Sequence, residues 1–277
     1  MRTMFLIGHH ISHSLSPAMW NHFFESTGRD IAYGVRDVDE EGLEAVHAEL
    51  RSGSVFAANV TMPHKAWAAR IADQPTSAVA TIEVANLLLP QDDGIHAFNT
   101  DVIGARAILE TRAPYDRVVV LGAGGTALAI LEALVGLTTT VTVVNRTHSH
   151  ASDVAARYSE RFDSITAHHW TDRDNLTPDA DLVVSAVPAV DESPLDVRRL
   201  NPGALVYDAV YRREPTAFQR GLTDRGVFVA DGLTHLGSQA VAMLEPLGFD
   251  PSEGSILIDG LESATGRTVT AWGVRLA

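Results

Sequence analysis

The sequence predicts a two-domain α/β protein, on the basis of three observations. Short apolar runs alternate with amphipathic helical stretches along most of the 277 residues. A glycine-rich turn at residues 122–127 follows one of these runs directly. A proline-containing break at residues 113–116 separates that run from the helical pattern before it. Such alternation is typical of mostly parallel sheets covered by helices, because parallel strands need a crossover connection.

The apolar runs are bounded by turn residues, which is the pattern of buried strands. They predict strands at residues 4–7, 31–38, 55–60, 84–89, 118–121, 141–144, 182–187, 205–209 and 227–230. Apolar residues at helical spacing predict helices at residues 17–25, 41–51, 102–111, 126–135 and 215–225. The residues after 251 carry no pattern that predicts an element.

A first domain boundary is predicted within residues 101–116, where the helix at 102–111 ends at the break of residues 113–116. A second boundary is predicted near Asp231-Gly232, where a helix returns to the first domain. We therefore expect a first domain of residues 1–101, completed by 233–277. Residues 102–232 are expected to form a second domain around the glycine-rich turn.

Composition excludes several classes of function. The formal charge of −14 disfavours binding to nucleic acid through a general basic surface. The absence of cysteine excludes disulfides and thiolate chemistry. The first apolar run is too short for a signal peptide core, and none reaches membrane-spanning length, so a cytoplasmic protein without a membrane partner is expected. The histidines at 9–10, 13 and 168–169 lack carboxylates at a recognisable ligand spacing, so no metal site is predicted.

Lys65 is the only lysine in the chain, against twenty arginines. Arginine supplies positive charge on a surface, but its pKa lies far above working pH and it does not give up a proton. A lysine can do so when its surroundings lower its pKa. Lys65 is therefore a candidate for proton transfer, and the alternative is a surface lysine retained by chance.

The glycine-rich turn has the pattern of a dinucleotide-binding site. It lies between a predicted buried strand and an apolar helix, and a second strand follows. Glycine allows the backbone to turn tightly and approach a pyrophosphate, to which the helix N-terminus offers free N–H groups. The positions expected to bind the cofactor are Gly122, Gly124, Gly125, Thr126 and Ala127.

The end of that second strand predicts which dinucleotide is bound. An acidic residue there would accept hydrogen bonds from the adenosine ribose and favour NAD. The chain instead has Asn145-Arg146-Thr147. Arg146 can bind a ribose 2′-phosphate, Thr147 adds a hydroxyl and His150 adds partial charge. NADP is predicted over NAD, and an exposed arginine without a ligand is the structural alternative.

Two serines lie in the turn between the first strand and the first helix. Ser16 precedes Pro17, which makes Ser16 the predicted N-cap of that helix. Ser14 has no such structural role in the prediction. Together the two hydroxyls are expected to bind a small carboxylate or polyhydroxylated ligand near the helix N-terminus.

Further polar residues lie at the ends of predicted elements. Thr61 follows a buried strand, Lys65 belongs to the helix after it, and Asn86 lies within the strand at 84–89. Asp101 stands at a helix start, where N-capping is its structural alternative. Ligands of open α/β sheets bind beyond the carboxyl ends of the strands, so these side chains are expected to face one crevice.

On these residues the chain resembles the shikimate/quinate dehydrogenase family. The matching motifs follow the family's order across most of the chain. They are Ser14-Leu15-Ser16-Pro17, Asn59-Val60-Thr61-Met62-Pro63-His64-Lys65, Asn86, Asn99-Thr100-Asp101 with Gly104, the glycine turn, Asn145-Arg146-Thr147, and Asp231-Gly232-Leu233 with Gln239. The segments ending at Lys65 and at Asp101 are highly specific to the family, whereas the glycine turn is not.

The resemblance implies a substrate-binding first domain and a Rossmann-like second domain for the cofactor, and it implies reversible reduction of the C3 ketone of 3-dehydroshikimate to shikimate with NADP(H), by a monomer or homodimer. It implies Lys65 and Asp101 as the catalytic pair. It also implies that the cyclohexene carboxylate substrate contacts Ser14, Ser16, Thr61, Asn86, Tyr211 and Gln239, and that Gly232 lies at the cofactor.

The departures from the family pattern concentrate around the cofactor. Glu83-Val84-Ala85-Asn86-Leu87 replaces Gly-Ala-Val-Asn-Thr, Ser185-Ala186-Val187 replaces an Asn-x-Thr stretch, and Thr234-His235-Leu236-Gly237 replaces a Gly-Met-Leu-Val type sequence. A paralogue that uses quinate or an amino analogue, with NADP or NAD, is therefore an alternative. A sensor that binds dinucleotide or shikimate without turnover is another.

Overall fold

The computed structural model describes residues 2–188 and 193–269. The chain divides into two compact units, and the divisions fall between Gly104 and Ala105 and between Leu236 and Gly237. Each division lies a few residues after the boundary expected from the sequence. The α/β architecture predicted from the alternation of elements is confirmed.

The first unit contains a six-stranded mixed sheet. Its strands are β1 (Arg2–Gly8), β2 (Ile31–Asp37), β3 (Ala57–Val60), β4 (Gln74–Pro75), β5 (Leu87–Gln91) and β6 (Gly94–Phe98). Their spatial order is β2-β1-β3-β5-β6-β4. Strands β1, β2 and β3 are parallel, whereas β5 runs antiparallel to β3 and to β6. This reversal places the start of β5 at the edge where β1, β3 and β6 end.

Five helices follow these strands along the chain. They are α1 (Ser16–Ser26), α2 (Leu43–Ser52), α3 (Lys65–Arg70), α4 (Ser77–Ile82) and α5 (Thr100–Leu109). The first division between the two units therefore falls inside α5.

The second unit contains a parallel sheet of six strands. They are β7 (Val118–Leu121), β8 (Thr140–Asn145), β9 (Ser164–His169), β10 (Leu182–Ser185), β11 (Leu205–Asp208) and β12 (Phe228–Ala230). The order β12-β11-β10-β7-β8-β9 is the doubly wound order of dinucleotide-binding folds, with a switch point between β7 and β10. The helices are α6 (Gly125–Leu134), α7 (His148–Arg157), α8 (Arg173–Leu176) and α9 (Ala217–Asp224).

The last two helices are α10 (Gly232–Val241) and α11 (Gly254–Thr265). The sequence did not predict α11, because glycines at 254 and 260 lower its helix propensity. Packing explains Gly260, since a Cβ there would lie 2.9 Å from Cβ of His22 on α1. Arg29 and Glu253 also form a 2.6 Å ion pair near the start of α11. Within the described ranges, no helix is both long enough and apolar enough to cross a bilayer.

Some elements of the prediction differ from the structure. Strands β4, β6 and β9 were not predicted, because they are short or rich in polar residues. The strand predicted at 84–89 begins at Leu87, so the prediction that Asn86 lies within a strand is wrong. Asn86 instead occupies the turn before β5. The direction of its side chain is therefore not set by the alternation of side chains along a strand.

Tyr33 connects the core of the first unit to the polar edge of its sheet. Its ring is stacked on Trp20, which is fully buried, with the two rings 7° from parallel. Its hydroxyl donates a 2.7 Å hydrogen bond to Oδ1 of Asn59. Asn59 also donates to the backbone oxygen of Asn86 at 3.3 Å. The position of Asn86 therefore depends on a buried hydrogen-bond chain.

We expect Tyr33→Phe to lower the free energy of unfolding by about 1–3 kcal/mol, because the buried Asn59 oxygen loses a hydrogen-bond donor while the ring packing is kept. The measurement is equilibrium unfolding in urea. An unchanged midpoint and slope would show that the hydrogen bond contributes nothing.

Candidate active site

The polar residues predicted from the sequence gather at one edge of the first sheet. The backbone N–H of Thr61, just past β3, donates to the oxygen of Ile7 on β1 at 2.8 Å. Asn86 bridges its neighbours there, because Val60 N–H donates to its oxygen and its own N–H donates to Phe98 of β6. The mixed strand directions thus bring the ends of β1, β3 and β6 together with the start of β5.

Lys65 and Asp101 form an ion pair at this edge. The Nζ of Lys65 donates to Oδ2 of Asp101 at 2.6 Å. The side chains are 17% and 6% exposed, respectively, so the pair is largely removed from solvent while the ammonium keeps some access. Lys65 is the first residue of α3 and Asp101 lies in the first turn of α5. The helix starts therefore position both charged groups.

Asn99, and not Asp101, caps α5. The Oδ1 of Asn99 accepts a hydrogen bond from the N–H of Val102 at 3.2 Å, and its Nδ2 donates to the backbone oxygen of Val84 at 2.9 Å. The capping alternative for Asp101 is therefore not realised. Its carboxylate is available to Lys65 because a neighbouring residue satisfies the helix N-terminus.

A buried amide–hydroxyl network lies beside this pair. Oδ1 of Asn86 accepts from the N–H of Thr100 at 2.8 Å, and Nδ2 of Asn86 donates to Oγ1 of Thr100 at 3.0 Å. Thr100 also donates to Oε1 of Gln239 at 3.3 Å. The backbone of Gln239 approaches Gly104 so closely that a Cβ at Gly104 would lie 2.6 Å from the Gln239 nitrogen. The structure thus brings Asn86 and Gln239 together, and Thr100 joins them.

The N-cap prediction for Ser16 is wrong. The N-cap of α1 is Leu15, and Ser16 is the first residue of the helix. Oγ of Ser14 accepts a hydrogen bond from the Ser16 N–H at 3.2 Å, so Ser14 has a local structural role that the sequence did not predict. Ser16 is buried, and Ser14 is partly exposed.

The glycine-rich turn closes tightly over the switch point of the second sheet. Gly122 has φ of 115°, a conformation that favours glycine, and a Cβ there would lie 2.8 Å from the backbone oxygen of Ala186. Gly124 is the N-cap of α6 and Gly125 its first residue, followed by Thr126 and Ala127. No acidic residue occupies the first turn of α6, so its free N–H groups are suited to an anion.

The residues predicted to select NADP lie at the carboxyl end of β8. Asn145 is the last residue of β8, and its Nδ2 donates to the backbone oxygen of Thr147 at 3.0 Å. Thr147 is the N-cap of α7, and the N–H of His150 donates to its oxygen at 3.1 Å. Arg146, Thr147 and His150 are all exposed. The arginine head group is thus presented on a short, hydrogen-bonded turn.

Tyr211 lies in the loop that follows β11 in the second unit, and Gly232 packs against the backbone of that loop. The backbone of Val210 approaches Gly232 so closely that no side chain fits at 232. Tyr211 follows in the same loop and is partly buried. The structure therefore explains the glycine by packing alone, and it places Tyr211 in the second unit, whereas the other predicted substrate contacts belong to the first.

A cluster of buried polar side chains near this loop was not predicted from the sequence. Burial raises the pKa of Asp208 to about 6, although Gln219 donates a 2.8 Å hydrogen bond to it. The hydroxyl of Tyr207 lies 2.5 Å from Nδ1 of His235. The available signal was the position of Asp208 at the end of a predicted buried strand, because the carboxyl ends of parallel strands form the ligand edge of a sheet.

The His9-His10 pair has no carboxylate at a recognisable ligand spacing in the sequence, but the fold brings one beside it. Asp37 ends β2, which pairs with β1 so that Asp37 lies opposite Gly8. Its Oδ1 is 3.1 Å from Nδ1 of His9. The partner was not recognised because it is close in the sheet but distant in the sequence.

Two family models and a relative of known name match long stretches of this chain. A family model described as the shikimate dehydrogenase substrate binding domain matches residues 6–88, and one described as shikimate / quinate 5-dehydrogenase matches residues 105–194. A shikimate dehydrogenase (NADP(+)) of Exiguobacterium sibiricum is 32% identical over 245 residues, which are 87% of this chain and 90% of that protein.

Solved structures match both units. The shikimate 5-dehydrogenase of Thermus thermophilus in complex with shikimate is 28% identical, with a TM-score of 0.82 over 96% of this chain and 100% of that chain. Its complex with NADP(H) and shikimate is 28% identical, with a TM-score of 0.79 over 94% of this chain and 100% of that chain.

Proposed function

Because the chain belongs to the shikimate dehydrogenase family, we propose that it catalyses the reversible, NADP-dependent reduction of the C3 ketone of 3-dehydroshikimate to shikimate. The observation that carries the proposal is the 2.6 Å ion pair of Lys65 and Asp101 at the polar edge of the first sheet. Reduction of a ketone requires a proton donor, whereas a sensor that only binds its ligand does not.

Lys65 is the proposed proton donor. The oxygen of a ketone gains negative charge as the carbon is reduced, and it must take up a proton. The Nζ of Lys65 stabilises this charge and donates the proton, and in the reverse direction it accepts the proton from the hydroxyl. Asp101 accepts a hydrogen bond from Nζ and thereby fixes the ammonium group. It also accepts a hydrogen bond from the same substrate hydroxyl.

The first unit is proposed to bind the substrate. The amides of Asn86 and Gln239 and the hydroxyl of Thr61 supply donors and acceptors for ring hydroxyls at the sheet edge that carries Lys65. The hydroxyls of Ser14 and Ser16 bind the carboxylate near the start of α1, where the helix dipole adds favourable partial charge. Tyr211 of the second unit is proposed as a further contact on the family resemblance.

The second unit is proposed to bind NADP(H), which when bound supplies the hydride that reduces the ketone carbon. The turn at Gly122 has no room for a Cβ, so the backbone there is bare, and the first turn of α6 contains no acidic residue that would repel an anion. Gly124, Gly125, Thr126 and Ala127 contribute backbone N–H groups to the pyrophosphate. Gly232, which has no room for a side chain, keeps the backbone near the nicotinamide compact.

The turn between β8 and α7 is proposed to select NADP over NAD, through Asn145, Arg146, Thr147 and His150. We expect Arg146→Ala to raise KM for NADP by about 10–150-fold, because hydrogen bonds to a charged group contribute about 1.5–3 kcal/mol. KM for NAD should stay unchanged, since NAD has no 2′-phosphate. Steady-state kinetics with both cofactors measures the effect.

Arg157→Ala is the matched control for this experiment. Arg157 is an exposed arginine at the opposite end of α7, so its removal changes the net charge equally. Its kinetics with both cofactors should equal those of the unmodified protein. Equal losses with NADP and NAD in Arg146→Ala would contradict a role in 2′-phosphate recognition.

A substrate panel tests the whole proposal. Shikimate, quinate and an aminoshikimate are each assayed with NADP and with NAD. The highest kcat/KM is expected for shikimate with NADP. A preference for quinate with NAD would assign the chain to the other branch of its family. Binding of shikimate without turnover would identify a sensor.

Family membership also supports a cytoplasmic protein of the chorismate and aromatic amino acid pathway, acting as a monomer or homodimer. Light scattering of the purified protein would determine the oligomeric state.

A further inference from the structure

Three exposed side chains at one end of the first sheet form a compact set of metal-ligand atoms. One nitrogen each from His9 and His10 and one carboxylate oxygen of Asp37 all lie within 4.8 Å of one another. His9 Nδ1 lies 3.1 Å from Asp37 Oδ1. This set is separate from the residues of the proposed dehydrogenase reaction.

The backbone at His10 is what brings the two imidazoles together. Neighbouring side chains in an extended segment point to opposite sides. His10 has φ of 58°, a left-handed conformation in which few residues other than glycine are found. The ring centroids of His9 and His10 consequently lie 3.8 Å apart. A turn of this kind converts a sequential histidine pair into a chelating pair.

Two paired strands support the arrangement. The N–H of His10 donates to Oδ1 of Asp37 at 3.1 Å, and the N–H of His9 donates to the oxygen of Met62 at 3.2 Å. The N–H of Val38 donates to the oxygen of Gly8 at 2.9 Å, which continues the β1–β2 pairing up to the cluster. The backbone of each of the three side chains is therefore held by the sheet or by the cluster itself.

The donor atoms suit a borderline divalent cation. Imidazole nitrogen and carboxylate oxygen are ligands of Zn²⁺ at about 2.0–2.2 Å, so two ligands of one tetrahedral ion lie roughly 3.3 Å apart. The 3.1 Å between His9 Nδ1 and Asp37 Oδ1 is close to this separation. Exposure of all three residues leaves the remaining coordination positions to water.

We propose that His9, His10 and Asp37 form a binding site for one divalent transition-metal ion, with Zn²⁺ as the first candidate. The ion would join the carboxyl ends of β1 and β2 at the base of the loop that leads to Ser14. Metal binding at these three residues is independent of the dehydrogenase function and is measured without an activity assay.

The test is a titration of the full-length, tag-free protein with Zn²⁺ after treatment with a chelator, followed by calorimetry. We expect one ion bound per chain at this site. His10→Gly should weaken binding at least about tenfold, which corresponds to about 1.4 kcal/mol. Glycine is chosen because it adopts the left-handed conformation without strain, so the loop is kept while the ligand is lost. Asp37→Asn should weaken binding similarly.

The matched control is the double variant His168→Ala/His169→Ala. These two residues are also adjacent and follow one another along β9, where successive side chains point to opposite faces. The control should bind Zn²⁺ as the unmodified protein does. Equal affinity in His10→Gly and the unmodified protein, or loss of binding only in the control, would overturn the proposal.

Co²⁺ gives a second readout that does not depend on the variants. Bound to the unmodified protein, Co²⁺ should show visible d–d absorption of a low-symmetry site with nitrogen and oxygen ligands. This absorption should disappear when Zn²⁺ is added in excess. A spectrum identical to that of hexaaqua Co²⁺ would overturn the proposal, whatever the stability of the variants.

Discussion

Replacing Lys65 with alanine is expected to lower kcat by about 10²–10⁴-fold, which is the usual contribution of a positioned general acid. KM for the ketone should change far less, because Lys65 acts mainly on charge that develops in the transition state. Lys65 is the residue with an ammonium group among those described at this edge of the sheet, and its Nζ lies 2.6 Å from Oδ2 of Asp101. Steady-state kinetics in the direction of ketone reduction measures the effect.

Two further variants make this result specific. Lys65→Arg keeps the positive charge but cannot release a proton near neutral pH, so it should be nearly as slow as Lys65→Ala. Arg70→Ala removes a charge from the last turn of the same helix, α3, and should retain normal kcat. Near-normal turnover of Lys65→Ala would exclude Lys65 as the proton donor, and full activity of Lys65→Arg would show that charge alone suffices.

Much of the candidate site could be predicted because its residues stand at the ends of elements. Lys65 and Asp101 each lie in the first turn of a helix, and Thr61 directly follows a strand. Such positions at the carboxyl edge of a sheet can be inferred from local patterns and general topology. The same reasoning located the turn at Gly122, whose φ of 115° requires glycine.

The features that could not be predicted from the sequence depend on strand pairing and on backbone angles, both of which are set by tertiary contacts. Thr100 gains its role only because antiparallel β5 places Asn86 beside the end of β6. Glu83 stands where the family has glycine, and it adopts φ of 55°, a conformation that its residue type does not predict. The partnership of Asp37 with His9 likewise comes from strands β1 and β2 lying side by side.

Replacing Asp101, the other member of the ion pair, is expected to cause the second large loss of kcat. Asp101→Asn keeps the size of the side chain but removes the charge that holds Nζ, and we expect kcat to fall about 10²-fold, as for other misplaced catalytic groups. In the Lys65→Ala background the same change should have little further effect on kcat. Such non-additivity is expected of two residues that act as a unit.

Stability should change in a different pattern, which separates catalysis from folding. Asp101 is 6% exposed, so Lys65→Ala leaves a buried carboxylate without this counter-ion and should lower the free energy of unfolding. The double variant Lys65→Ala/Asp101→Asn removes both charges, and it should regain part of that free energy while remaining as slow as Lys65→Ala. Urea unfolding and kinetics on the four proteins complete the cycle. If kcat recovered together with stability in the double variant, the pair would be holding the fold and not transferring the proton.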